Sequence, residues 1–124
     1  MKQIDTIILV EDIKRSKKFY SEIIQLEVLH DWVSMVIFRN RFAIHQTDLL
    51  QPKDLIGPLL ENVRPGSSNF IIYVGTDSIE SEFERLGKLG VDIVHGIVEL
   101  PWQRIFRIRD DNGYLVEIGE EKDT

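Results

Sequence analysis

Four polar residues stand at matching places in this chain: Asp5, His45, Asn69 and Glu117. Asp5 opens the apolar run Asp5-Thr-Ile-Ile-Leu-Val10, and Asn69 opens Asn69-Phe-Ile-Ile-Tyr-Val74. His45 closes Arg41-Phe-Ala-Ile-His45, which Gly113-Tyr-Leu-Val-Glu117 echoes. Two carboxyls, an imidazole and an amide all hold hydrogen bonds, and the first three can also carry a proton. A duplicated unit that repeats its polar residues in this way suggests one shared site built between the halves. Three more side chains qualify as ligand contacts. Tyr73 falls on the same strand face as Asn69 and can supply a proton or a hydrogen bond. Trp102 can close a cavity. Arg107 suits a carboxylate or phosphate, which guanidinium recognises bidentately.

The elements that must position these residues follow from periodicity. Asp12 is a good N-cap, since its carboxylate can accept from free backbone N–H groups. Ser16, Phe19, Tyr20, Ile23 and Ile24 then share one helical face. A second helix is expected from Asp77, with Glu80 three residues on as a capping box and Gly90 at its end. Its buried stripe is Ile79, Phe83, Leu86 and Leu89. After the first helix come the strand candidates Glu27–His30, Val33–Phe38 and Arg41–Gln46. After the second come Asp92–His95, Trp102–Arg109 and Tyr114–Ile118, with Asp110-Asp-Asn-Gly113 as a turn. Each half thus reads strand, helix, three strands.

Register supports duplication. Asp5 to Asn69 and Phe19 to Phe83 are both offsets of 64, whereas His45 to Glu117 is 72. The eight extra residues of the second half are expected as an extended loop around Val98–Trp102. The breaker-rich stretch 48–68 reads as a joint with one helical turn near Leu59-Leu60-Glu61. The expectation is a single domain, 1–124, of two modules (about 1–47 and 69–119) joined by linker 48–68. Alternation places Asp5, Ile7 and Leu9 on one strand face, with Ala43 and His45, and Leu115 and Glu117, on the corresponding faces of theirs. The opposite, nearly all-apolar faces should meet the helices. The fold class is α+β, a cupped mixed sheet with helices on its outer face.

At 124 residues the chain has the length of one domain. It contains no cysteine, which excludes disulfides and thiolate chemistry and fits a reducing cytoplasm. A net charge of -6 argues against nucleic-acid binding. No apolar run approaches membrane-spanning length, and the N-terminus lacks the apolar core of a signal peptide. A soluble, cytoplasmic protein is expected.

Two segments carry a resemblance. Val10-Glu-Asp-Ile-Lys-Arg-Ser-Lys-Lys-Phe-Tyr20 resembles the "V-x-D-x-x-x-S-x-x-F-Y" opening helix of the vicinal oxygen chelate superfamily. Phe106-Arg-Ile-Arg-Asp-Asp-Asn-Gly-Tyr-Leu-Val-Glu117 is similar to its "D-P-D-G-x-x-x-E" ending. That family includes glyoxalase I, extradiol dioxygenases, and fosfomycin and bleomycin resistance proteins. The resemblance implies paired βαβββ modules cupped around a small-molecule ligand, often with a divalent metal and often as a homodimer. By position it implies Asp5, His45 and Glu117 as metal ligands, with Asn69 a weak fourth ligand or a substrate contact. Asp5 and Asn69 depart from the His or Gln common there, and His45 stands where glyoxalase-type enzymes commonly carry Glu; Glu117 matches directly. An Asp, His, Glu set can bind Mn²⁺, Fe²⁺, Ni²⁺ or Zn²⁺. The leading expectation is a metal-dependent, glyoxalase-like lyase or isomerase with Glu117 or Asp5 as base. The alternatives are a metal-free drug- or toxin-binding protein of the bleomycin-resistance type, without cofactor, and an interaction module with a vestigial cavity.

Overall fold

The computed structural model describes residues 1–121. They lie in two compact units that divide between Pro65 and Gly66, within the stretch 48–68. The first unit runs β1 (Thr6–Val10), α1 (Ile13–Lys18), a π-helical turn (Phe19–Ile23), β2 (Val28–Asp31), β3 (Met35–Phe38), β4 (Phe42–Gln46) and α2 (Lys53–Leu60). The second runs β5 (Ile71–Thr76), α3 (Ile79–Lys88), β6 (Ile93–Glu99), β7 (Arg104–Arg109) and β8 (Leu115–Glu120). Both four-stranded sheets follow one plan. Their orders are β1-β4-β3-β2 and β5-β8-β7-β6, with a parallel pair at one edge and antiparallel pairs elsewhere. The fold is α+β, built of paired βαβββ modules.

Local chemistry explains the entry to α1. The Asp12 carboxylate accepts from the backbone N–H groups of Lys14 and Arg15, as its N-cap position requires. The helix then widens, with Ile24 N–H donating to Phe19 C=O, five residues back. The wide turn lets two consecutive aromatics, Phe19 and Tyr20, both be buried. Tyr20 packs on Phe38 and Phe42, with ring centroids 6.1 and 4.9 Å away. In the second unit Phe83 of α3 meets Phe106 of β7 edge-on at 5.1 Å. One face of each sheet is therefore sealed by its own unit's helix. Ile8, Val10, Val36, Phe38 and Ile44 are buried in the first unit, and Ile72, Phe106, Ile108, Val116 and Ile118 in the second.

Several expected boundaries move. The second helix starts at Ile79 with Ser78 at the cap position, not at Asp77, and no side-chain capping bond forms there. Leu89 is exposed rather than part of the buried stripe, because the helix ends at Lys88 and Gly90 turns the chain at φ +75°. The stretch 48–68 contains a full helix, α2, where one turn was expected. Pro52 sits just before its first turn, where its missing N–H is no loss, and its carbonyl accepts from Leu55 and Ile56. Pro58 forfeits one bond inside that short helix. The extra residues of the second half lengthen the β6–β7 hairpin, since β6 continues to Glu99 and pairs there with Arg104.

Val33 lies before β3, in the turn from β2, at φ +71°. A β-branched side chain is crowded in that left-handed region. Asp31 holds the turn by accepting from Val33 N–H at 2.9 Å and from Lys17 Nζ at 2.7 Å. The Lys17 ammonium first, and the Val33 N–H next, keep the Asp31 carboxyl below the usual carboxylate range. Two stability measurements follow. Val33→Asn, which tolerates this backbone, should raise the denaturant-unfolding free energy by roughly 1 kcal/mol. Phe106→Ala should lower it by about 3–5 kcal/mol, or abolish folding.

Candidate functional site

The helix-free face of the second sheet carries a polar row running strand to strand. Tyr73 of β5 lies opposite Glu117 of β8, Glu117 opposite Arg107 of β7, and Arg107 opposite His95 of β6. Alternation puts all four on the face away from Phe106 and Val116. The Arg107 guanidinium donates to Glu117 Oε1 from Nε at 2.9 Å, and Nη2 lies 2.9 Å from the same oxygen. Its Nη1 lies 3.1 Å from His95 Nε2. On the other side of that ring, His95 Nδ1 is 2.8 Å from the carbonyl oxygen of Gly96. A carbonyl only accepts, so Nδ1 carries the proton and Nε2 accepts from Arg107. With the Glu117 side chain 15% exposed and that of Arg107 31%, the pair is substantially shielded from water.

Tyr73 is held from one end of this row. Its ring is 60% exposed while its hydroxyl donates to Oε1 of Gln103, a buried carboxamide next to β7. Gln103 Nε2 in turn donates to the backbone carbonyl of Glu120 at 3.0 Å. Gly119 makes room, because a Cβ there would stand 2.6 Å from Gln103 Nε2. Trp102, just before Gln103 at the turn from β6 to β7, is 67% exposed.

The other expected site residues lie elsewhere. Asn69 precedes β5 in a bend, is exposed, and its Oδ1 accepts from Ser67 Oγ at 2.8 Å. Asp5 precedes β1 and is half-buried. His45, in β4, stands opposite Leu9 and Met35. Asp5 and His45 thus lie at opposite ends of β1, separated by roughly 13 Å of strand at about 3.3 Å per residue. His45 Nδ1 is 2.9 Å from Gln46 O, so Nε2 keeps its lone pair. Where the second unit presents Tyr73, Glu117 and Arg107, the first presents Leu9, His45 and Met35.

These placements do not fit the implied metal. Glu117, the residue matching the family ligand, already meets a guanidinium, and a divalent cation on its carboxylate would stand beside that positive charge. Among the described residues no group of three or more His, Cys, Asp or Glu side chains is arranged to hold a metal ion. Arg107, expected to recognise an anionic substrate, instead has its donors engaged by Glu117 and His95. His95 and Gln103 are the residues that sequence reasoning passed over. His95 looks like a strand end until register pairs it with Arg107, and Gln103 carries no local signal at all.

The sequence profile of the glyoxalase-like domain family matches residues 3–123. The chain belongs to the glyoxalase-like domain family. That places it within the vicinal oxygen chelate superfamily and agrees with its two βαβββ modules. No curated protein matches it. Among solved structures it is similar to a protein of unknown function from Agrobacterium tumefaciens str. C58, at 29% identity and TM-score 0.81, covering 98% of this chain and 95% of that one. It is also similar to a lactoylglutathione lyase from Agrobacterium tumefaciens, at 21% identity and TM-score 0.70 over 94% and 91% of the two chains. An antibiotic binding protein from Streptomyces sp. CB03234 aligns at 20% identity and TM-score 0.71 over 98% and 97%. The last two share the glyoxalase-like fold, and at such identities the fold is all that they establish. No helix of the described residues is long and apolar enough to cross a membrane.

The ion pair is open to a double-mutant cycle. Arg107→Met and Glu117→Gln should each destabilise the protein, and the cycle should return a coupling of about 1–2 kcal/mol in urea unfolding. A coupling near zero would mean that the pair adds no net stability in solution.

Proposed function

We propose that this glyoxalase-like protein binds a small molecule on the open face of its second sheet, without a resident metal, in the manner of the bleomycin-resistance type. The observation that carries the reading is the Arg107–Glu117 pair, which occupies the expected ligand carboxylate with an internal cation. Around it stand an exposed phenol ring, Tyr73, with Ile71 exposed two residues before it on the same face, and the exposed indole of Trp102. Flat apolar rings beside a few fixed polar groups are the usual lining of a small-molecule site. The pair leaves the row close to electrically neutral, which favours an aromatic ligand of low charge over a multiply charged anion. The homodimer implied by the family resemblance belongs to the same reading, as does the cytoplasmic setting.

A metal-dependent lyase or isomerase remains the second reading, favoured by one observation. His45 donates from Nδ1 to a backbone carbonyl, an arrangement that aims the Nε2 lone pair outward as in metal-ligating histidines. In that reading a metal would supply Lewis-acid stabilisation of substrate oxygens.

One experiment separates the two. Freshly purified protein is assayed for metal content and titrated calorimetrically with Mn²⁺, Ni²⁺ and Zn²⁺, then screened by thermal shift against small aromatic compounds with and without chelator. The binding reading predicts substoichiometric metal and ligand shifts indifferent to chelator. A stoichiometric metal that disappears in both His45→Ala and Glu117→Ala would overturn it in favour of the lyase.

A further inference from the structure

Gln103 fixes the polarity of the site. Its carboxamide has two chemically different ends, and the surroundings leave one orientation. The Glu120 carbonyl, 3.0 Å away, can only accept, so Nε2 must face it. Oε1 is thereby turned to Tyr73, and an amide oxygen can only accept. The Tyr73 hydroxyl proton is consequently committed inward. What the phenol presents to a ligand is oxygen lone pairs.

The arrangement is built into the sheet. Gln103 is only 9% exposed, so its amide stays in this hydrogen-bonded chain rather than turning to solvent. Gly119, opposite Ile105, leaves the space that the amide fills, and any larger residue there would collide with it. Tyr73 also lies directly opposite Glu117 in the β5–β8 pairing. Both Arg107 nitrogens that reach this carboxylate meet Oε1, which puts Oε2 among the acceptors of the row. Tyr73 and Glu117 are thus neighbouring acceptor-bearing residues on the helix-free face of the sheet.

We infer that the site selects an aromatic ligand carrying a hydrogen-bond donor, N–H or O–H, and that Gln103 and Gly119 set this selectivity through Tyr73. The inference rests on the small-molecule-binding reading of this face and adds the ligand's chemical class. Gln103 is a positioning residue in it, and Tyr73 is the contact.

The test uses three probes of similar size and ring character. Indole carries an N–H donor, 1-methylindole has none, and quinoline carries only a ring-nitrogen acceptor. Affinities are measured by calorimetry, and the binding face is confirmed by amide shifts at Ile71, Tyr73 and Leu115 in nitrogen-15 spectra. The wild-type chain should bind indole roughly fivefold to tenfold more tightly than 1-methylindole, the difference made by one hydrogen bond. Quinoline should bind no better than 1-methylindole. Tyr73→Phe, at an exposed ring, should keep the fold and bring indole close to 1-methylindole. Gln103→Met frees the phenol proton to donate, so quinoline should gain severalfold, a change that loss of packing alone would not produce. Equal wild-type affinities for all three probes, with shifts on this face, would overturn the donor selectivity and leave the binding reading standing. Binding of none of them would count against both.

Discussion

The contact between Arg107 and Glu117 governs how this protein can work. Placed at adjacent positions of two central strands, each ion supplies the counter-charge that the other needs when both are partly withdrawn from water. That mutual requirement orients the guanidinium, whose remaining nitrogen then reaches His95. One pairing across β7 and β8 therefore also fixes a side chain of β6, joining three of the four strands. It also bears on the chemistry, since a carboxylate bound to a guanidinium is a poorer ligand for a divalent cation.

The two units make the point by contrast. They share strand order, parallel edge pair and helix-covered face, so the same backbone is built twice. Their open faces differ. Where the second unit carries Tyr73, Glu117 and Arg107, the first carries Leu9, His45 and Met35 at corresponding pairings. The scaffold is repeated, and the chemistry-bearing side chains on it differ. A shared fold accordingly narrows the range of functions without choosing among them.

What could be read from the residues alone follows from how far each signal reaches along the chain. The Asp12 cap and the Asp110–Gly113 turn were legible because each is closed by atoms a few residues away. Asp110 Oδ1, for example, accepts from the N–H groups of Asn112 and Tyr114, each at 2.9 Å. Strand alternation correctly put Tyr73 and Glu117 on the helix-free face. Helix α2 was hidden because Pro52, Gly57 and Pro58 read as breakers, although Pro52 is harmless before a first turn. Asn69 was misplaced because strand β5 begins only at Ile71, so alternation does not extend back to it. The partners of Arg107 were beyond reach. They depend on cross-strand register, and β6 shifts register on both sides of His95.

The central claim is that Glu117 is held by an arginine and not available to a metal. Proton-detected NMR of the Arg107 Nε–H and the Glu117 side chain, followed while Mn²⁺ is added, addresses it directly. A carboxylate kept by its guanidinium predicts a protected Nε–H signal that stays sharp at one equivalent of Mn²⁺. Selective broadening of the Glu117 and His45 side-chain signals at that point, with loss of the Arg107 Nε–H, would contradict the account.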